Sequence, residues 1–142
     1  MKYLIYPLCL LWAFAFSACE YEAPLGFESL PTLTVDVPMD KGNQINLSPA
    51  GHTIRISVDG LRSLGFHDGG DLIIDSVLLH KREAYETLTE HYLKVGWLEA
   101  WWQGQVLSIK ILPNDTGEKR FVVFPVVWVP LRQSVTIHQA TN

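Results

Sequence analysis

The side chains with the most chemistry to offer lie between Trp97 and Trp102. Read as an extended strand, Trp97-Leu98-Glu99-Ala100-Trp101-Trp102 sends alternate side chains to opposite faces. Leu98, Ala100 and Trp102 then make an apolar face suited to a core, while Trp97, Glu99 and Trp101 make the other. That second face sets a carboxylate between two indoles, with same-face neighbours ~6.6–7 Å apart along the strand. Flat rings stack on the axial C–H face of a sugar, and a carboxylate accepts from its hydroxyls. Trp97, Glu99 and Trp101 are therefore the candidate ligand-binding residues. The competing reading has Trp97 covering the open end of a sandwich and Trp101 packed under a loop, because Trp is highly buried on average.

Nothing comparable points to catalysis. There is no Ser-His-Asp spacing, G-x-S-x-G elbow, phosphate loop or H-E-x-x-H. His52, His67, His80, His91 and His138 are scattered. His67, Asp68 and Asp71 share a Gly-rich stretch and offer nitrogen and oxygen donors, but such residues are usually plain loop residues; neither metal nor cofactor is expected. Asp71 with Asp75, and Glu83 with Glu86, are paired acids of the kind general acid–base chemistry uses, with nothing to set them in a pocket. The expectation is a protein that is not an enzyme. Asp75-Ser76-Val77 resembles a short bacterial O-glycan acceptor pattern.

The N-terminus carries a different chemistry. Lys2 is followed by an uncharged run of 14 residues, Tyr3 to Phe16, which Pro7 interrupts. A membrane-spanning helix needs ~20 apolar residues, so this run reads as a secretory signal. Phe16-Ser17-Ala18-Cys19 resembles the lipobox of bacterial lipoproteins, with Phe16 where Leu is usual. In that family the Cys thiol is acylated with palmitate-type chains and the peptide is cut before it. Residues 1–18 are then the signal peptide, Cys19 the lipidation site, and 19–31 a tether holding Pro24, Gly26 and Pro31. The alternative is a secreted, unlipidated protein with a chance Cys19.

Cysteine usage agrees. The other cysteine, Cys9, leaves with the signal, so the mature chain has no thiol for a disulfide, a nucleophile or a zinc cluster. Two acyl chains anchor a protein stably without a spanning helix. The expected location is the outer membrane, on its surface or periplasmic face. Glu20 and Glu22, soon after Cys19, resemble a surface-export signal. Without residues 1–18 the chain has ten basic and fifteen acidic side chains, a net charge of −5, and no basic cluster. Nucleic acid is excluded as a natural partner.

The elements that must position these residues show a period of two from residue 32 onward. Leu33, Val35 and Val37 alternate with polar neighbours, as do Ile54, Ile56 and Val58, then Leu107, Ile109 and Ile111, then Val135 and Ile137. Leu72–Leu79 is a more continuous apolar run, and residues 121–129 are apolar on both faces. Turn-forming residues punctuate the runs at Pro38–Gly42, Ser48–Gly51, Pro113–Gly117 and Pro130–Gln133. This predicts an all-β sandwich or barrel. Arg82–Val95 stands out: Tyr85, Leu88 and Tyr92 fall at helical spacing, which predicts a short helix or an irregular crossover. Pro125 cannot donate to a ladder, so its strand is an edge or bulges there.

One stretch is more specific. Gly96-Trp97-Leu98 precedes a strand over 105–112; Asn114-Asp115-Thr116-Gly117-Glu118-Lys119-Arg120 precedes the next; and Thr136-Ile137-His138-Gln139 closes the chain. Asn114 and Asp115 can bond backbone amides just ahead, Gly117 can take φ > 0, and Arg120 can pair with Asp115 or Glu118. Asn114, Gly117 and Arg120 thus read as structural turn residues. Together these motifs resemble the C-terminal half of BACON (Bacteroidetes-associated carbohydrate-binding often N-terminal) domains. The resemblance implies an immunoglobulin-like β-sandwich over 32–142. It also implies a place in a surface glycan-handling system, as a carbohydrate-binding or spacer module. The alternative is a scaffold lipoprotein that docks a protein partner through the 121–129 strand.

Overall fold

Period-two alternation becomes eleven strands among the described residues. The computed structural model describes residues 31–59, 65–66, 71–127 and 133–142; the signal, Cys19, the tether before Pro31, His67, Asp68 and Trp128 lie outside them. Six strands form one sheet in the spatial order β1 (Thr32–Val35), β3 (His52–Asp59), β9 (Val106–Ile111), β8 (Leu98–Gln103), β7 (Tyr92–Val95) and β6 (Thr87–Leu88). Five form the other: β2 (Gln44–Leu47), β11 (Gln133–Gln139), β10 (Arg120–Val127), β4 (Leu72–Ile74) and β5 (Val77–Leu79). Neighbours run antiparallel except β2 and β11, which are parallel. The architecture is an all-β, immunoglobulin-like sandwich.

Alternation decides which side chains meet between the layers. Ile54, Ile56, Leu98, Ala100, Leu107 and Ile109 face inward from the first sheet; Ile45, Leu72, Val122, Phe124, Val135 and Ile137 face them from the second. Each large aliphatic side chain so buried contributes roughly 1.5–3 kcal/mol. Phe66 bridges the layers, its ring 6.4 Å from Trp102 and 6.1 Å from Phe124.

Two elements differ from the sequence expectation. Leu72–Leu79 is not one strand: Asp75 and Ser76 take φ of 46° and 74° and fold it into the β4–β5 hairpin. The helix expected within Arg82–Val95 is limited to a 3-10 turn at Arg82–Ala84, and the rest of the segment is the β6–β7 hairpin. The strand with Pro125 lies between β11 and β4, and of the two expectations for it the bulge is the one realised, as a register shift between Pro125 and Val127.

The loops at one end of the sandwich are tied by side-chain amides. Gly51 turns at φ +82° against the β9 end, where a Cβ would lie 2.6 Å from the Ile111 carbonyl oxygen, so only glycine fits. Asn114 is fully buried; its Nδ2 donates to the carbonyls of Glu118 at 2.7 Å and Ala140 at 3.0 Å. Its Oδ1 accepts from the Thr116 backbone N at 3.2 Å and Thr116 Oγ1 at 2.8 Å. Gln139 Nε2 donates to the carbonyls of Leu112 at 2.9 Å and Pro49 at 3.3 Å.

Candidate functional site

Strand β8 presents its two faces as alternation demands. Leu98, Ala100 and Trp102 are buried in the core; Glu99 and Trp101 are half-buried on the outer face of the six-stranded sheet. Register then supplies their neighbours. Trp101 stands opposite Tyr92 on β7 and Ser108 on β9, and Glu99 opposite Lys94 and Lys110. Ser108 continues into Arg55 on β3. It is an outward residue yet only 5% exposed, because it sits between the larger Trp101 and Arg55.

The polar groups of this face are ordered by direct contacts. Tyr92 Oη donates to Glu99 Oε2 at 3.4 Å, and Lys110 Nζ lies 3.9 Å from Glu99 Oε1. Lys94 is committed elsewhere, its Nζ 3.0 Å from Glu86 Oε2. The hydrogen bond from Lys94 draws the Glu86 carboxyl below its ordinary pKa, and the same bond raises Lys94. Glu99 is therefore left as an acceptor beside Trp101, steadied by a phenol and an ammonium.

Trp97 does not share that face. Val95 pairs with Leu98, so Gly96 and Trp97 are the two turn residues of the β7–β8 hairpin, with Gly96 at φ +52°. Alternation stops at Leu98, and the Trp97 ring packs partly against the core. The Arg120 guanidinium carbon lies 5.3 Å from the Trp97 ring centroid, a cation–π contact. Of the three candidate residues, Glu99 and Trp101 are brought together and Trp97 is set apart. Tyr92 and Lys110 complete the cluster and were not legible. Tyr92 lay in the segment with helical spacing, and only strand register puts Lys110 beside Glu99.

The remaining candidates are placed as follows. Asn114 bonds the Thr116 amide two residues ahead, and Gly117 turns at φ +77°. Arg120 forms no ion pair with Asp115 or Glu118; the aromatic surface of Trp97 holds it instead. Asp75 Oδ1 accepts from the Phe121 backbone N at 2.8 Å, tying the β4–β5 turn to β10, and Ser76 is exposed at the tip. Glu86 is engaged by Lys94 and by the Gly96 amide at 3.1 Å. Among the described residues no three His, Cys, Asp or Glu side chains converge, and no helix is long and apolar enough to cross a membrane.

No family model and no curated protein matches this sequence. Among solved structures, the chain is similar to a protein from Bacteroides thetaiotaomicron determined by NMR. The TM-score is 0.65 at 15% identity, over 87% of this chain and 98% of that one. At that identity the likeness is one of fold.

Proposed function

We propose that this chain is a non-catalytic, acyl-anchored BACON-like protein of a glycan-handling system, and that it binds carbohydrate on the outer face of the six-stranded sheet. One observation carries the reading: Trp101 stands directly opposite Tyr92, with Glu99 held beside them by Tyr92 Oη and Lys110. An indole and a phenol on neighbouring strands give a surface for a single sugar ring, and Glu99 accepts from its hydroxyls. Cys19 supplies the anchor, and the outer membrane is the location that follows from it.

Glycan-array screening followed by calorimetry on the detergent-solubilised full chain tests this. Trp101→Ala is expected to weaken binding by about tenfold or more, equal to ~1.4 kcal/mol. Tyr92→Phe, which frees Glu99, is expected to weaken it by a smaller factor. Unchanged affinity in Trp101→Ala removes the site. A chain that retains no glycan at all fits the spacer role instead.

A second reading, a protein-interaction module, also has an observation behind it. Leu78, Ile73 and Val123 lie side by side across β5, β4 and β10, and the edge strand β5 leaves Val77 60% and Leu78 52% exposed. An unprotected apolar edge can accept a strand from another chain. Dimers seen by sedimentation and lost in Leu78→Lys would put this reading ahead.

A further inference from the structure

The β4–β5 turn carries a hydroxyl that the fold does not use. Other turn hydroxyls are tied down. Thr89 Oγ1 donates to the Tyr92 carbonyl at 3.3 Å and accepts the Tyr92 backbone N–H at 3.0 Å. Thr116 Oγ1 lies 2.8 Å from Asn114 Oδ1, to which it donates. Ser76 is exposed, and its hydroxyl has no hydrogen-bond partner among the described residues. Its φ of 74° is a conformation that glycine adopts freely and serine does not. Packing, hydrogen bonding and backbone preference all leave serine unexplained at this position.

The surroundings present that hydroxyl to another macromolecule. Two bonds pin the turn to β10: Asp75 N donates to the Phe121 carbonyl at 3.0 Å, and Asp75 Oδ1 accepts from the Phe121 backbone N at 2.8 Å. Asp75 and Ser76 are therefore held in one arrangement. Asp75 Oδ2 makes no hydrogen bond among the described residues and stays open to recognition. The turn stands at the start of β5, the outermost strand of its sheet, where Val77 is 60% exposed. Asp75-Ser76-Val77 is also the triplet that resembles an O-glycan acceptor pattern. The unused hydroxyl and its exposure are observations independent of that resemblance.

We propose that Ser76 is an O-glycosylation site. On a separate transferase, Ser76 Oγ attacks the anomeric carbon of a phosphate-activated glycosyl donor. The bond from Oγ to the anomeric carbon forms, and the bond from that carbon to the phosphate oxygen breaks. The phosphate leaves with the electron pair, and the hydroxyl proton passes to a base of the transferase. Asp75 is the residue the transferase reads beside the acceptor. The attached glycan is a bulky, solvated group at the start of an edge strand that shows Val77 and Leu78 to solvent, and folded proteins commonly guard such edges. The site is independent of the Trp101 face.

The test is mass spectrometry of the full chain purified from the organism that produces it. Trypsin releases residues 63–81, whose hydroxyl side chains are Ser63 and Ser76. That peptide is expected to be heavier than its sequence by whole sugar residues, and electron-transfer fragmentation is expected to place the added mass on Ser76. Mild alkali is expected to remove the glycan by β-elimination and leave dehydroalanine, the mark of linkage through a serine oxygen. Ser76→Gly, which suits the turn, is expected to give the bare peptide. Asp75→Asn keeps an oxygen for the Phe121 amide and tolerates positive φ, and is expected to lower occupancy several-fold. A bare wild-type peptide would overturn the proposal, as would a glycan that fragmentation places on Ser63 or that survives in Ser76→Gly. Full occupancy in Asp75→Asn would overturn the recognition role of Asp75. If Ser76→Gly fails to accumulate, Ser76→Ala serves in its place, and the wild-type peptide decides the matter without either.

Discussion

Asn114 joins three parts of the chain through one side chain: its own loop at Thr116 and Glu118, and the end of β11 at Ala140. Asn114→Ala removes the donor to the Ala140 carbonyl and one of the two donors to the Glu118 carbonyl, the other being Thr116 Oγ1 at 3.3 Å, and is expected to cost about 1–3 kcal/mol, read as a fall in Tm of roughly 5–10 °C. The local half of this role was legible, because an Asn side chain bonds the amide two residues on. The reach to Ala140, 26 residues away, was not, since it depends on where β11 ends. Arg120 shows the same limit: nearby acids in sequence predicted an ion pair, and packing against Trp97 decided otherwise. Tyr85 gives a pH prediction. Its buried hydroxyl donates to the Leu79 carbonyl at 2.8 Å, and burial pushes its pKa up to about 12 from 10.0. Between those values the unfolded chain releases the phenolic proton and the folded chain keeps it, so stability falls as pH rises. The loss is about 2 kcal/mol by pH ~12. Urea unfolding at pH ~9 and ~11.5 should show this extra loss in the wild type and not in Tyr85→Phe, which instead lacks the Leu79 bond at both.

At the scale of elements, two-residue hairpin turns explain most of what the sequence hid. The β4–β5 turn puts Asp75 and Ser76 both at positive φ, the type I′ arrangement that favours Asn-Gly or Asp-Gly. Asp75 compensates by accepting the Phe121 amide; Ser76 has only the strain. Ser76→Gly is therefore expected to stabilise the protein by about 0.5–1 kcal/mol, seen as a higher Tm. Asp75→Gly is expected to lower it by losing the bond to β10. With no glycine to mark the turn, Leu72–Leu79 read as one run. The segment from Arg82 misled for a related reason. Leu88 pairs directly with Leu93 across the β6–β7 hairpin, so both face the core at a spacing of five. Neither a continuous strand nor a helix gives that spacing, and the helical period of Tyr85, Leu88 and Tyr92 joins a 3-10 turn to two separate strands. Alternation within single strands, as in β3, β8 and β9, was by contrast plain in the sequence, because each residue's face there depends only on its neighbours.

For the whole molecule, what matters is how the two outer faces relate to the proposed anchor. The sandwich buries its apolar residues between the sheets, and the outer face of the first sheet is largely polar, with Glu99, Lys94 and Lys110 around Trp101. The second sheet exposes a short apolar row that ends at Leu78. Buried acyl chains contribute ~0.8 kcal/mol per CH₂, far more than one row of side chains can offer a bilayer. Membrane attachment should then reside in Cys19 alone. The decisive variant places the chain behind a conventional cleavable secretory signal with Cys19→Ser, so that cleavage no longer requires lipidation. It is expected to leave the membrane pellet for the soluble fraction after a high-salt wash, with an unchanged far-UV spectrum and unchanged glycan affinity. Retention in the pellet would mean that the sandwich itself holds the membrane. Adding Leu78→Lys to that variant would then show whether the β5 edge is the surface responsible.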